Sequence, residues 1–343
     1  MAYDVKIVDI DNLDVQQWNE LLMKSEVCDA FQTYEWAQVQ RNGLGMKPFF
    51  SIVYDDGNAI GGVMFFKKKM MGLIDSYEIR GGPIYLKGNR EAVMRSILKI
   101  LNKKRKRALN LLFVPFPPIN NSFEQTFKSE GYFCYPFRTI IINLDRPLQD
   151  IWQALNKRAR WGVRKAERVG LKVKVATVWK EWEQFYHIFS IHGKEKQYPP
   201  EPLEFFREMF KLHHKNMARL FLAQHQKRTI AGSLFLVYNQ NMIFLQNASE
   251  SAFLSYNPNN LLQWKSIEWA KENGVTIYDM NGLPPKQVPY LHGVYNYKKR
   301  WNGDVQWYYY YLSRRLLYAG LHMVRTSSLA WTLFLHARNL KAV

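Results

Sequence analysis

Two tandem α/β (α+β) modules with mixed sheets, followed by a C-terminal helical tail, are the fold that the sequence predicts. The chain of 343 residues has room for about two domains of ordinary size. Hydrophobic residues make up 47% of the chain and aromatic residues 15%, so each domain can build its own core. In addition, one series of hydrophobic and turn patterns occurs twice, about 170 residues apart, which indicates duplication of a domain.

Each series contains a β-hairpin, a further strand, a helix and a last strand. The first series lies at residues 49–54 with 60–66, 77–79, 91–107 and 109–114. The second lies at residues 219–223 with 233–238, 242–247, 259–272 and 276–280. Apolar residues recur at spacings of three and four in both helices, and polar turns join the hairpin strands. This order is the core of an acetyltransferase-like fold, also called GNAT-like or acyl-CoA N-acyltransferase-like.

The two modules are expected at residues 1–145 and 146–312. A strand at 139–142 closes the first module, and Asp145 and Pro147 are typical of the start of the helix that opens the second. Duplicated modules commonly hold a ligand groove near their junction.

The tail is expected at residues 313–343 as a basic amphipathic helical segment. Between residues 316 and 337 the only Lys, Arg, Asp or Glu is Arg325, and basic residues such as Arg314 and Lys341 stand on either side. This pattern favours a helix lying among lipid headgroups over one that spans a bilayer. A helical pair packed on the core of the protein explains the pattern equally well.

The chain is strongly basic, with 48 Lys and Arg against 29 Asp and Glu, a net charge of +19 and a pI near 9.7. Such an excess predicts a polyanionic partner that carries phosphate. Cys28 and Cys134 have no ligands at metal spacing, so neither a disulfide framework nor a metal site is expected. The N-terminus lacks a signal-peptide pattern, which predicts a cytoplasmic protein, peripheral to the inner face of the membrane if the tail binds lipid.

The densest positive charge lies between Arg146 and Lys174, where nine basic residues face two acidic ones. Apolar residues from Trp152 to Val169 recur at helical spacing and predict one helix with a basic face. The candidates for binding tRNA or another anion are Lys157, Arg158, Arg160, Arg164, Lys165 and Arg168. A solvated helix face is the alternative, but acidic partners at i,i+4 are nearly absent.

The pair Tyr297-Lys298 is the strongest catalytic candidate. A Lys flanked by aromatic residues after a glycine-containing loop suggests an ammonium in a partly desolvated pocket, where it can stabilise an oxyanion or a phosphate. The alternative is a Lys that extends from an ordinary strand to solvent.

Two cofactor patterns are missing from the sequence. No phosphate-binding loop of the ATPase or dinucleotide type occurs. The glycine-rich loop with which acetyltransferases bind the acetyl-CoA diphosphate is not convincing in either module, because Pro83 interrupts Arg80-Gly81-Gly82-Pro83 and residues 248–251 contain no glycine. The sequence therefore predicts no cofactor and favours an acyl donor other than acetyl-CoA.

Six segments occur in the order found in FemABX-type peptidyltransferases, which are duplicated acetyltransferase-like proteins. They are FQTYEW (31–36), RGGP (80–83), KAERVGLKV (165–173), NNLLQW (259–264), YDMNG (278–282) and Tyr297-Lys298. The chain resembles this family from about residue 5 to residue 312. The resemblance implies transfer of an aminoacyl group from aminoacyl-tRNA to an amine of a peptidoglycan precursor, either a lipid-linked or a UDP-linked muropeptide.

The resemblance also implies roles for single residues. Lys298 matches the family Lys that stabilises the oxyanion, with Tyr297 in place of the family Phe. Arg41 and Lys194 match positions at which the family contacts the nucleotide diphosphate, although Lys194 replaces a family Arg and offers a point charge. The expected substrate-binding residues are Trp36, Arg41, Arg80, Lys194, Tyr256 and Asp279, of which Asp279 is either a general base or a buried residue closing a turn.

Two other functions remain open from the sequence. One is an N-acyltransferase on the same fold that uses an acyl-CoA or an acyl carrier. The other is a non-enzymatic nucleic-acid or membrane-binding module built on the basic helix, for which Lys298 would be dispensable.

Overall fold

The computed structural model describes residues 3–27, 29–70, 74–105, 110–114, 122–286 and 291–312. The strands are β1 (Asp4–Asp9), β2 (Lys47–Asp55), β3 (Asn58–Met70), β4 (Ile74–Arg80), β5 (Ile84–Tyr85), β6 (Asn110–Val114), β7 (Phe133–Asn143), β8 (Lys172–Val175), β9 (Ala218–His225), β10 (Arg228–Tyr238), β11 (Asn241–Ser249), β12 (Ile277–Asp279) and β13 (Asp304–Leu312). The helices are α1 (Val15–Lys24), α2 (Tyr34–Gln38), α3 (Arg90–Arg105), α4 (Ser122–Ser129), α5 (Leu148–Ala154), α6 (Lys157–Arg168), α7 (Trp179–Glu195), α8 (Leu203–His214), α9 (Pro258–Glu272) and α10 (His292–Lys299). Both series predicted from the sequence are found in the expected order.

The described residues form two compact units. The first contains those of residues 1–137 together with 307–312, and the second contains those of residues 138–306. The predicted tail at 313–343 lies outside the described residues. The module boundary at residue 145 stays a prediction.

In the first unit, one sheet has the order β1-β2-β3-β4-β6-β13, and β5 pairs with Gly61 and Gly62 of β3 on the edge opposite β2. The pair β4–β6 is parallel, and the other pairs of this sheet are antiparallel. Helix α3 packs on the sheet through Val93, Met94, Ile97, Leu98 and Leu101, which are buried and spaced three or four residues apart. This is the amphipathic pattern by which the sequence predicts the helix.

In the second unit, the sheet has the order β7-β12-β11-β10-β9-β8, with β12 and β11 parallel and the other pairs antiparallel. Helices α5, α6 and α9 pack on one face through a shared apolar core. Helix α7 packs on the other face, where the ring of Phe185 contacts Gly232 so closely that a Cβ at this glycine would lie 2.5 Å from it. The glycine is required because β10 and α7 approach each other at this point.

The single basic helix expected from Trp152 to Val169 is wrong, because the structure divides it into α5 and α6. Asn156 begins α6, and its side-chain oxygen accepts a hydrogen bond from the Arg158 amide at 2.9 Å. Asn is a preferred N-cap residue, so the helix starts again although the apolar spacing continues across the break.

Candidate active site

The parallel strands β11 and β12 of the second unit part from each other. They pair at three positions, the last of which joins Ile243 to Asp279, and β11 then continues to Ser249 without β12 beside it. In the first unit, the corresponding pair β4–β6 is bonded at five positions up to Arg80 and Val114. The second unit therefore has an opening between two parallel strands. In the first unit, the corresponding strands stay paired.

A β-bulge marks the point where the strands part. The register of β10 against β11 shifts between Leu234 and Phe235, because Phe235 pairs with Phe244 while Leu234 pairs with Gln246. Leu245 is the extra residue. A bulge bends and twists its strand, and bulges are common beside active sites.

Lys298 fills this opening from the last turn of α10. Its side chain is 7% exposed, and Nζ lies 5.7 Å from the centroid of the Phe244 ring on β11. The ammonium donates hydrogen bonds to three consecutive carbonyl oxygens after β12, those of Met280 (2.6 Å), Asn281 (2.5 Å) and Gly282 (2.7 Å). Its three protons are thus all engaged, and an acyl oxygen reaches the ammonium only by replacing one of these carbonyls.

Burial controls the charge of this group. Desolvation lowers the pKa of Lys298 from 10.5 to about 8, and the nearby Asp279 carboxylate opposes the shift. Lys298 is therefore mostly protonated at neutral pH and loses its proton within the range in which an enzyme can be assayed. The sequence indicates a desolvated Lys, but its placement on a helix excludes the alternative of a Lys extending from a strand.

Asp279 shapes the segment that Lys298 binds. Its Oδ1 accepts hydrogen bonds from the Thr139 hydroxyl of β7 and from the Asn281 amide at 2.7 Å. The Thr139 hydroxyl in turn accepts a hydrogen bond from the Gly282 amide at 3.3 Å. Asn281 and Gly282 have φ values of +53° and +70°, in the left-handed region, so the backbone turns sharply here. Asp279 has the contacts of the turn-closing residue that is one of the two roles expected for it.

Tyr297 connects α10 to the start of α9. Its hydroxyl donates a hydrogen bond to the backbone oxygen of Asn259 at 2.9 Å, and burial raises its pKa. The Asn259 side-chain oxygen accepts hydrogen bonds from Asn247 (3.2 Å) and Ser249 (2.6 Å) of β11. The position of Lys298 thus depends on a polar network that spans three elements of the unit.

The basic residues of α6 have different surroundings. Arg160 Nη1 donates hydrogen bonds to the carbonyl oxygens of Gln153 (2.5 Å) and Leu155 (2.7 Å), so this guanidinium caps the end of α5. The exposed residues Lys157, Arg164 and Arg168 line an open concavity of about 860 Å³. Arg158 is exposed and Lys165 is half-buried.

Three expected substrate-binding residues lie in the first unit. Trp36 is buried, and within the described part of the chain its indole nitrogen has no hydrogen-bond partner. The exposed Arg41 forms an ion pair with Asp11 at 2.5 Å. The guanidinium of Arg80 lies over the Phe31 ring at 4.1 Å.

The second unit contains Asp279, described above, and the two remaining expected substrate-binding residues. Lys194 is exposed near the end of α7. Tyr256 is half-buried, and its ring centroid lies 5.1 Å from that of His225. No contact between either residue and Lys298 is found among the described side chains.

The Arg80-Gly81-Gly82-Pro83 segment uses its glycines for packing. The Gly81 amide donates to the Val114 carbonyl at 2.7 Å, and the Gly82 amide donates to Oδ2 of Asp29 at 3.0 Å. A Cβ at Gly81 would lie 2.2 Å from Asp29 Oδ2. Both amides are therefore used within the chain and are not offered to a phosphate.

Sequence reasoning missed Thr139, Asn259 and Trp161. Thr139 lies about 140 residues before its partner Asp279 and carries no motif. Asn259 does have a signal, since it follows Pro258 at a helix start. Trp161 has one too, as an indole among cations on a helix that is otherwise strongly polar. Among the described residues, no three His, Cys, Asp or Glu side chains come close enough to hold a metal ion.

Comparisons with known proteins show what the chain is similar to. The family model described as an acetyltransferase (GNAT) domain matches residues 154–299, which lie in the second unit. The chain is 19% identical over 287 residues to a UDP-N-acetylmuramoylpentapeptide-lysine N(6)-alanyltransferase of Weissella viridescens, with 78% of this chain and 84% of the relative covered. The chain is similar to proteins of the FemABX family. It is an acyltransferase, and the predicted tandem GNAT-like α/β fold is confirmed.

Two further comparisons extend this assignment. A lipid II:glycine glycyltransferase of Staphylococcus aureus is 29% identical over 74 residues, which are 21% of this chain and 18% of the relative. The crystal structure of FemX matches the fold with a TM-score of 0.72 at 16% identity, over 92% of this chain and 99% of FemX. In the part of the chain that the structure describes, no helix is both long and apolar enough to cross a membrane.

Proposed function

We propose that this protein transfers an aminoacyl group from aminoacyl-tRNA to an amine of a peptidoglycan precursor, either a UDP-linked or a lipid-linked muropeptide. The observation that carries the proposal is the buried Lys298 in the opening between β11 and β12, within the unit that matches the acetyltransferase domain. The relatives named above act on a muropeptide and on lipid II, by the names they carry. The net charge of +19 suits two polyanionic substrates.

In the proposed reaction, a neutral amine of the acceptor attacks the carbonyl carbon of the aminoacyl ester. The new C–N bond forms, the ester C–O bond breaks, and the ribose oxygen leaves with the proton that the amine loses. In the tetrahedral intermediate between these two steps, the carbonyl oxygen carries a negative charge. A charged acceptor forms a stronger hydrogen bond than a neutral carbonyl, so the oxyanion displaces one of the carbonyls of residues 280–282 from the Lys298 ammonium.

Further substrate contacts are proposed for the remaining candidates. Arg41 would exchange its exposed partner Asp11 for a phosphate, which costs little because exposed ion pairs are weak. Arg80, Lys194 and Tyr256 are proposed as additional contacts to substrate. A tRNA donor also places the reaction in the cytoplasm, with lipid-linked acceptors reached at the inner face of the membrane through residues 313–343.

An acyl-CoA donor is less well supported. The loop between β11 and α9, where an acetyltransferase fold binds the CoA diphosphate, bonds its amides within the chain. The amide of Glu250 donates to Ile230, that of Phe253 to Glu250 and that of Asn257 to Leu254, at 2.9 to 3.1 Å. The loop also holds the Glu250 carboxylate, which is paired with Arg228 at 2.6 Å, and Pro258 removes an amide at the start of α9.

A donor competition assay tests the proposal. Purified protein is incubated with a UDP-linked or a lipid-linked muropeptide and with either radiolabelled aminoacyl-tRNAs or labelled acetyl-CoA. We expect label in the muropeptide from aminoacyl-tRNA and none from acetyl-CoA. Transfer from acetyl-CoA alone, or no transfer from aminoacyl-tRNA to any acceptor of the panel, would contradict the proposal.

A further inference from the structure

One face of α6 combines exposed cations with an exposed aromatic ring. Lys157, Trp161, Arg164 and Arg168 are spaced four, three and four residues apart, so they lie on the same side of the helix. All four line the open concavity of about 860 Å³, together with Arg160 and Glu167. We call these four residues the α6 face.

Glu167 is the one carboxylate among the described residues that line the concavity, against four cations. No ion pair to Lys157, Arg164 or Arg168 is formed among the described residues. Lys157 also stands in the first turn of α6, where a cation opposes the helix dipole. Such an arrangement is unfavourable in isolation and becomes favourable when an anion binds.

Trp161 is the second unusual feature of the face. Its side chain is 53% exposed, although an indole is among the most costly groups to leave in water. The ammonium of Lys165 lies 5.1 Å from the centroid of the ring. An aromatic ring flanked by cations is the arrangement with which proteins bind single-stranded nucleic acids, since the ring stacks on a base and the cations contact the phosphates.

Helix α6 contacts the elements that surround Lys298. The amide of Asn156, which caps α6, donates to the carbonyl of Arg300 directly after α10 at 3.0 Å. Gly162, next to Trp161, approaches Asn260 so closely that a Cβ there would lie 2.6 Å from the Asn260 side chain. Asn259 in turn accepts the hydrogen bond from Tyr297. Contacts within one unit thus connect α6, the helix that carries the α6 face, to the helix that carries Lys298.

We propose that the α6 face binds the single-stranded 3′ end of the donor tRNA, with one nucleobase stacked on Trp161 and phosphates on Lys157, Arg164 and Arg168. The proposal rests on the function proposed above, in which the ester at this 3′ end must reach Lys298. We assign the surface to a nucleic acid and not to a lipid bilayer, because an exposed ring among cations can stack on a base while the cations contact phosphates.

Binding measurements on four variants test the proposal. The probes are labelled tRNA, an oligoribonucleotide with the sequence of its single-stranded 3′ end, and vesicles of phosphatidylglycerol and phosphatidylcholine in equal parts. Trp161→Ala removes the ring, Trp161→Phe keeps an aromatic ring, and Arg164→Gln removes one cation. Lys180→Gln is the matched control, because Lys180 is an exposed cation on α7 of the same unit.

We expect Trp161→Ala to raise the Kd for tRNA and for the oligoribonucleotide about tenfold, the loss typical of one stacked base. Trp161→Phe should stay within about threefold of wild type. Arg164→Gln should weaken binding and lower the slope of log Kd against log salt by about 1, as for one lost phosphate contact, while Lys180→Gln should change neither.

Two results would overturn the inference and are distinguishable from failure of the proposed function. If wild type uses aminoacyl-tRNA but Trp161→Ala and Arg164→Gln bind RNA as wild type does, the inference is wrong and the proposed function stands. If these variants lose binding to the anionic vesicles but not to RNA, the face is a lipid-binding surface instead. If wild type does not transfer from aminoacyl-tRNA at all, the proposed function fails and the inference fails with it.

Discussion

Substitution of Lys298 by Met tests the centre of the proposed mechanism. Met fills a similar volume without a charge or a hydrogen-bond donor. The proposed oxyanion would lose its charged donor, and removal of one such donor typically lowers kcat by about 10²- to 10³-fold. Since a buried ammonium is a stronger donor than an amide, we expect the loss in kcat to reach at least the upper end of this range.

We expect Lys298→Met to have little effect on stability. The loss of three hydrogen bonds and the removal of a buried charge have opposite effects of similar size. The variant leaves the carbonyls of Met280, Asn281 and Gly282 without their donor, and unsatisfied buried groups cost about 1 kcal/mol or more each. It also removes the cost of burying the charge. The shift in the pKa of Lys298 from 10.5 to about 8 corresponds to roughly 3 kcal/mol. We therefore expect Tm to change by less than about 5 °C.

The assay compares Lys298→Met with Lys299→Met, a matched control at the exposed neighbouring residue of α10. Initial rates of transfer from aminoacyl-tRNA are measured for both, and Tm is measured by calorimetry. We expect the control to keep the rate of wild type within about threefold. A rate within threefold of wild type for Lys298→Met would refute the role of the ammonium, whereas unfolding of the variant would show that its main function is to hold the segment after β12.

Four further predictions follow from contacts within the second unit. Because burial lowers the pKa of Lys298 to about 8, kcat should fall above pH 8, and this decline should be absent in Lys298→Arg, whose guanidinium stays charged. The unfolded chain holds the same proton more tightly, so the stability of wild type relative to Lys298→Met should rise between pH 8 and 10.5; a fall would contradict a lowered pKa of Lys298 in the folded protein. Thr139→Val removes the donor to Asp279 and should lower kcat about tenfold, while Thr139→Ser should restore it in steady-state assays; equal rates for both variants would exclude a role for this hydroxyl. Gly162→Ala should lower the free energy of unfolding in urea by about 2 kcal/mol, since its Cβ meets Asn260; an increase, as expected from helix propensity alone, would show that Asn260 moves aside without cost.

The order of elements could be predicted from the sequence because it depends on local patterns. The helix at α9 shows how far such patterns reach, since Pro258 and Asn273 stand at its two ends, as expected from a helix start and stop. The break between α5 and α6 could not be predicted in the same way. The apolar spacing continues through it, and only the cap at Asn156 and the guanidinium of Arg160 on the last carbonyls of α5 explain why the helix ends.

The candidate site was only partly predictable for a related reason. Lys298 has a local signal in its aromatic neighbours, so the sequence could select it. Its partners could not be selected, because three backbone carbonyls carry no side-chain signature and lie 16 to 18 residues earlier in the chain. Thr139 is still more distant in sequence from Asp279, and only the pairing of β7 with β12 brings the two together.

The contrast between the two units explains why one Lys serves both structure and the proposed chemistry. Parting two parallel strands leaves backbone groups without ladder partners, which is costly in a buried site. The first unit avoids this cost, since β4 and β6 stay paired and the amide of Gly81 continues the bonding to Val114. The strands of the second unit part at the bulge beside Phe244. The carbonyls of residues 280–282, which follow β12, accept hydrogen bonds from the ammonium of Lys298 instead. In the proposed reaction, the acyl oxygen replaces one of these carbonyls on the ammonium, so the donor that stabilises the open cleft also supplies the charge for the oxyanion without further rearrangement of the fold.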